Sequence, residues 1–216
     1  MFFQKSYDIL KLKRSKGSGW RIPICEKMRI ITGTARGTRL ETLDGEDITR
    51  PTVERVKEAI FSMKNFELEG RNVLDLFAGS GQMALEALSR GAASATLCDV
   101  NREAIAVIKR NAQKTKLYER TKILSSDYKS AINGCKNGEK FGIVFLDPPY
   151  GEYGMLTDAL DRIVRLGILS ENALIVCESN KKEPVEADGL RVRRFARYGK
   201  VYITLLTNAP ESFDED

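Results

Sequence analysis

Residues 71–91 read RNVLDLFAGSGQMALEALSRG, and this stretch decides the fold. Val73, Leu74, Leu76 and Phe77 make an apolar run of strand length, interrupted by Asp75. Gly79 and Gly81 then let the backbone turn sharply without a Cβ in the way. From Gln82 onward apolar residues recur at helical spacing, and Gly91 closes the helix at its C-terminal end. A buried strand handed by a glycine turn to a helix is the first half of a βαβ unit, and the chain downstream repeats the pattern. ATLCDV (95–100) reads as a strand, and NREAIAVIKRNAQKT (101–115) as a helix with Asn101 as its N-cap. TKILSS (121–126) and FGIVFLD (141–147) are strands, 153–166 is a helix, and NALIVCES (172–179) is a further strand. RVRRFARYGKVYITLLT (191–207) is a hairpin turning near Gly199. The expected fold is α/β: a mostly parallel, doubly wound sheet ending in an antiparallel hairpin at one edge.

Upstream, MRIITGTARGTRLETL (28–43) reads as a small β-hairpin over about 28–42, with glycines at 33 and 37. Arg50-Pro51-Thr52 opens a helix that places Val53, Val56, Ile60 and Met63 on one face. Residues 1–27 form a basic leader with a linker-like Lys16-Gly17-Ser18-Gly19, which makes Met28 a candidate natural start. The main domain is expected over 28–208, with an acidic tail over 209–216.

The 216 residues allow one such domain with modest extensions. No run of eighteen apolar residues occurs, and the N-terminus lacks an apolar signal core with a small-residue cleavage site, so a cytoplasmic protein away from membranes is expected. There is no histidine, and Cys25, Cys98, Cys135 and Cys177 show no CxxC spacing. The usual zinc sites and every histidine-based general base or triad are thereby removed, and no metal is expected. Cys98 and Cys177, in apolar strands, read as core residues rather than nucleophiles. The leader holds seven Lys or Arg and two Asp or Glu, which accounts for the whole net charge of +5. Overall charge therefore says little about partners; only local clusters count.

The glycine turn is the first candidate site. Asp99 ends the next strand 20 residues after Gly79, placed to accept hydrogen bonds from two ribose hydroxyls. Glycines, carboxylate and βαβ order together indicate a nucleoside-binding crevice. Gly79-Ser80-Gly81-Gln82-Met83-Ala84 also satisfies the dinucleotide pattern GxGxxG/A, so a nicotinamide dehydrogenase competes. Asp75 favours S-adenosylmethionine instead, because a carboxylate there meets the ammonium of a methionine moiety and opposes a pyrophosphate.

The second candidate site is Asp147-Pro148-Pro149-Tyr150, directly after the strand 141–146. Ligands in open α/β sheets bind beyond the carboxyl ends of the strands, so this loop and the glycine turn can face one crevice. Two prolines fix the backbone and offer no N–H, leaving the Asp147 side chain and the Pro148 carbonyl as rigid acceptors. An exocyclic amine has two N–H donors; gripping both favours a more tetrahedral nitrogen with its lone pair aimed at an electrophile. Tyr150 adds an aromatic face for a base taken out of its stack.

DPPY resembles the [DN]PP[YF] signature of amino-group methyltransferases that act on adenine N6, guanine N2 or cytosine N4. Over residues 28–208 the chain is similar to the bacterial 16S rRNA guanine-N2 methyltransferase family, through MRIITGTARGTRL, RPTVERVKEAIFS, VLDLFAGSGQMALEALSRGA, FLDPPY and YGKVYITLL. The resemblance implies a Rossmann-like class I methyltransferase fold with a small N-terminal β-hairpin. It implies that Asp75, Phe77, Gly79 and Gly81 line the cofactor's methionine end, that Asp99 takes the ribose, and that Asp127 lies beside the adenine. Asp147, Pro148 and Tyr150 then hold the base. The implied partner is ribosomal RNA or a small-subunit assembly particle, met by a monomer. An adenine-N6 methyltransferase and a cofactor-binding RNA module without turnover remain alternatives.

Arg29, Arg36 and Arg39 have no acidic residue between positions 29 and 39, and Arg50 follows. Arginines on a hairpin suit phosphate contacts, which position RNA without reading its sequence. Of the later cluster, Arg191 and Arg193 are expected on one face of their strand and Arg194 on the other, which prevents one continuous patch.

Overall fold

The computed structural model describes residues 28–43, 57, 58, 60, 61, 68–135, 138–149 and 151–210. The leader, Arg50, Tyr150, the end of the acidic tail and most of the helix expected after Pro51 lie outside the described residues. Of that helix, Lys57, Glu58, Ile60 and Phe61 are helical, and Ile60, expected on its apolar face, is buried.

From Asn72 the chain alternates strand and helix: β1 (Asn72–Asp75), α1 (Gln82–Ser89), β2 (Ser94–Asp99), α2 (Arg102–Lys114), β3 (Thr121–Ser125), α3 (Tyr128–Asn133), β4 (Phe141–Leu146), α4 (Tyr153–Arg165) and β5 (Leu169–Ser179). A terminal hairpin, β6 (Arg191–Tyr198) and β7 (Val201–Thr207), completes a seven-stranded sheet in the order β3-β2-β1-β4-β5-β7-β6. The first five strands run parallel; β7 is antiparallel to both β5 and β6. This is the expected doubly wound architecture. Successive strand residues point to opposite faces, so Val73, Ile143 and Val176 pack under α1 and α2. Leu74, Val144 and Cys177 pack under α3 and α4. β4, covered on both faces, is buried at all six positions, as a central parallel strand must be. Asn101 caps α2 as expected, its side chain accepting from the Glu103 N–H at 2.8 Å. Burial raises the Cys98 and Cys177 thiols, in keeping with core residues.

Two expectations change. Val192 pairs with Leu206 and Arg194 with Leu205, so Arg193 is an extra residue in a bulge. Arg191 and Arg194 therefore share a face, opposite Thr207 and Leu205, and the expected alternation fails there. Arg197, paired with Tyr202, still lies on the other face, so the arginines remain divided. The N-terminal hairpin is shorter than expected, a single antiparallel bridge between Arg29 and Arg39. The reason is that the Ile31 and Thr32 N–H groups donate to the Glu86 carboxylate, at 2.8 and 3.0 Å, rather than to a strand. Among the described residues no helix is long and apolar enough to cross a membrane.

Candidate active site

The carboxyl ends of β1, β2, β4 and β5 meet along one edge of the sheet. Asp75, the last residue of β1, is only 4% exposed. The turn after it is pinned on both sides: Leu76 N–H donates to the Phe145 carbonyl at 3.3 Å, and Ala78 N–H to the Cys98 carbonyl at 3.0 Å. Gly81 sits at φ +77°, where a Cβ would crowd Leu97 Cδ2 at 3.2 Å, so only glycine starts α1 here without strain. Above Gly79 the space is open, with no heavy atom within 4 Å of a Cβ position.

Asp99 braces this turn. Its Oδ2 accepts from the Gly79 N–H at 2.9 Å and its Oδ1 from the Asn101 N–H at 2.8 Å. Each oxygen keeps a second lone pair for a hydroxyl. Phe77 is half-buried, its ring centroid 5.5 Å from that of Tyr128. Asp127 is exposed at the N-cap of α3, accepting from Ser130 N–H at 3.0 Å and Ser130 Oγ at 2.7 Å. Those hydrogen bonds hold its carboxyl below the usual range.

Asp147 and Pro148 follow β4 directly. Leu146 is opposite Cys177 in the β4–β5 register, so the next residue of each strand, Asp147 and Glu178, stand side by side. By strand alternation Asp75, Asp147 and Glu178 project from one face of the sheet. Asp147, Pro148, Pro149, Tyr153, Glu178 and Ser179 line one cleft. Burial, and then the charge of Asp147, push Asp75 up to about 7. The same two causes push Glu178 up to about 8. Glu178 and Ser179 escaped the sequence reading, although the available signal, an acid at the end of an apolar strand, is the one that singled out Asp75, Asp99 and Asp147.

The N-terminal segment packs along α1, its tip against Glu86 and Ser89, and only its ends, at Met28 and Glu41, reach the glycine turn. Arg29, Arg36 and Arg39 are exposed, with Arg29 and Arg39 paired across the bridge. A buried polar network fastens the segment to α1 and α2. Glu86, fully buried, accepts from Ile31 and Thr32 N–H and from Arg90 Nε at 2.8 Å, with Lys57 Nζ 3.4 Å away. Ser89 Oγ accepts from Ala35 N–H and donates to the Thr32 carbonyl. Gly33 passes so close that a Cβ would fall 1.8 Å from the Ser89 carbonyl oxygen. Asn111 accepts from Glu41 N–H and donates to the carbonyls of Glu41 and Ser80, linking the segment's far end to the glycine turn.

Known proteins share this fold and sequence. The family described as conserved hypothetical protein 95 matches residues 28–207. Ribosomal RNA small subunit methyltransferase D of Haemophilus influenzae is 33% identical, over 74% of this chain and 82% of that protein. Its Escherichia coli K12 namesake is 34% identical, over 79% and 80%. The solved Escherichia coli protein yhhF superposes with a TM-score of 0.73 at 31% identity, covering 84% of this chain and 97% of that one. TrmN from Thermus thermophilus, at 18% identity and a TM-score of 0.57, covers 70% of this chain and 48% of its own, and shares the Rossmann-like class I methyltransferase fold. With the family match spanning nearly all described residues and relatives above 30% identity covered over most of their length, the chain belongs to the ribosomal RNA small subunit methyltransferase D family.

Proposed function

We propose that this protein transfers a methyl group from S-adenosylmethionine to the exocyclic N2 of a guanine in 16S ribosomal RNA. The observation that carries the reading is the placement of the Asp147-Pro148 acceptors at the end of β4, beside the glycine turn that follows β1. The turn's own chemistry fits the cofactor. Asp75 is a buried carboxylate pushed up by burial and a second acid, so a cation stabilises its charged form and a pyrophosphate does the reverse. Asp75 would hold the ammonium, Asp99 the ribose, and the open side of Gly79 leaves room between them. S-adenosylmethionine bound there supplies an electrophilic methyl group on a cationic sulfur, which keeps the electron pair of the bond that breaks.

The protein's part is positioning. Asp147 and the Pro148 carbonyl accept the two N–H bonds of the amine and turn its lone pair out of the ring plane. After methyl transfer the nitrogen carries a surplus proton that leaves to water, so Asp147 acts as an acceptor and not as a base. Tyr150, next in sequence, is assigned the stacking face. Arg29, Arg36, Arg39 and Arg50 are assigned RNA phosphates, supported by the exposure of the first three. Mass mapping of ribosomal RNA from a deletion strain tests the reading. Loss of one N2-methylguanosine from small-subunit RNA, restored by the purified protein, is expected; loss of an N6-methyladenosine would replace guanine by adenine as the substrate.

A further inference from the structure

Glu178 lines the cleft beside Asp147, half-buried, and among the described residues its carboxyl makes no hydrogen bond or ion pair. Next to it, Ser179 Oγ is buried and likewise without a hydrogen-bond partner among the described residues. Other buried polar groups, as at Glu86 and Asn111, have several partners, so an unpartnered buried hydroxyl beside a half-buried carboxyl at the mouth of a cleft marks where a ligand can complete the bonding. A donor-rich ligand completes such a pair best, because two adjacent carboxylates only accept once both are ionised, and donors in contact favour that state.

We infer that Glu178 is the residue that selects guanine, by accepting the ring N1–H while Asp147 accepts from the neighbouring exocyclic amine. This rests on the guanine-N2 reading above and deepens it. Among the bases with an exocyclic amine, guanine alone places a second donor, N1–H, beside that amine on its Watson–Crick edge. Adenine and cytosine put a ring lone pair there, which would face the Glu178 carboxylate and repel it. Asp147 and Glu178 stand on neighbouring parallel strands, so their spacing is set by the sheet itself. Burial and Asp147 push Glu178 up to about 8, so near neutral pH the cleft by itself holds it largely protonated, and a base N–H in contact draws it towards the ionised, accepting form.

The test compares bases at the modified position, which the mass map of the wild-type product locates. Transcripts carry there either guanine or 2-aminopurine, which keeps the amine but has an acceptor in place of N1–H. Single-turnover methyl transfer is measured for the wild type, Glu178→Gln and Glu178→Ala, with S-adenosylhomocysteine affinity as the check on folding and the cofactor site. The wild type should prefer guanine by about 10- to 100-fold, the scale of a hydrogen bond to a charged group. Glu178→Gln should shrink that preference to a few-fold, because an amide can turn its N–H towards a ring acceptor. Glu178→Ala should slow guanine and lose most of the preference. An unchanged preference in both variants, with N2-methylguanosine still the wild-type product, overturns the inference alone. A wild-type product other than N2-methylguanosine overturns the functional reading and this inference with it.

Discussion

Glu86 and Asp75 are both buried carboxylates under the same face of the sheet, and they are held in opposite ways. Glu86 receives two backbone N–H groups, the Arg90 guanidinium and a nearby Lys57, so its charge is matched from every side by the protein. Asp75 lies beside a second acid, and its two backbone hydrogen bonds, from Phe77 and Ala84, do not offset burial. The first arrangement locks an element in place. The second stores an electrostatic deficit that a cationic ligand relieves. A buried charge the protein has completed is structural; one left incomplete at a strand's carboxyl end is where a ligand is expected.

Four experiments press on this contrast. The largest effect belongs to Asp147. Replacement by Ala should cost roughly 10²–10³-fold in kcat, as for loss of a preorganised polar group, whereas Asp147→Asn keeps an acceptor oxygen and measurable turnover. Because Asp147 is exposed, neither change should lower Tm appreciably, and S-adenosylhomocysteine should bind both. An Asn variant as inactive as Ala, yet folded and able to bind, would assign proton abstraction to Asp147.

Glu86→Ala is the opposite case. It removes the carboxylate facing Lys57, 1% exposed and also bonded to the Arg29 carbonyl, and leaves two N–H groups without their acceptor, and should destabilise the fold by about 3–5 kcal/mol in denaturant melts. A loss below about 1 kcal/mol would mean that the network does not hold the N-terminal segment.

Asp75 should reveal itself through pH. Its folded value of about 7 lies above the ordinary 3.8, so between those values the folded protein holds a proton that the unfolded chain has released. Stability from this group is therefore greatest at low pH and falls as pH rises towards 7. Asp75→Asn should raise Tm by a few °C at pH 8 and change it little near pH 4, to be read by calorimetry. Ligand binding should run the other way. Affinity for S-adenosylhomocysteine should grow by up to about tenfold from pH 6 to 8 as the carboxylate ionises, and this slope should vanish in the Asn variant.

The smallest effect is at the arginines. Changing Arg36 and Arg39 together to Ala should flatten the salt dependence of RNA binding by roughly 1.5 on a log–log scale, and leave cofactor affinity alone. An unaltered slope would remove the hairpin from the RNA interface.

The strand-turn-helix units were readable because each strand is an apolar run ending at an acid or a glycine, and that punctuation survives in one dimension. The glycine turn, Asp99 and Asp147 lie where it put them. α3 was not foreseen, since six residues, YKSAIN, are too few to show helical periodicity. Glu178 carries the same one-dimensional signal, an acid ending an apolar strand, but its pairing with Asp147 on a neighbouring strand shows only in the register. Glu86 reads as an ordinary polar position in QMALEALS; only the docking of residues 31 and 32 makes it a buried hub. The bulge at Arg193 has no signature in a run of arginines, and it reversed the expected faces.

That bulge has a bearing on self-association. Among the described residues β6 is the outer strand of the sheet, with no strand beyond it. An open strand edge is a template on which another chain can add its own backbone. Here the extra residue breaks the regular spacing of N–H and C=O groups along the edge and twists it away from a flat partner. Arg191, Arg194 and Arg197 line the same strand, so a second copy laid against it would bring guanidinium groups towards guanidinium groups. The bulge and the arginines of β6 thus both work against edge-to-edge pairing with another chain.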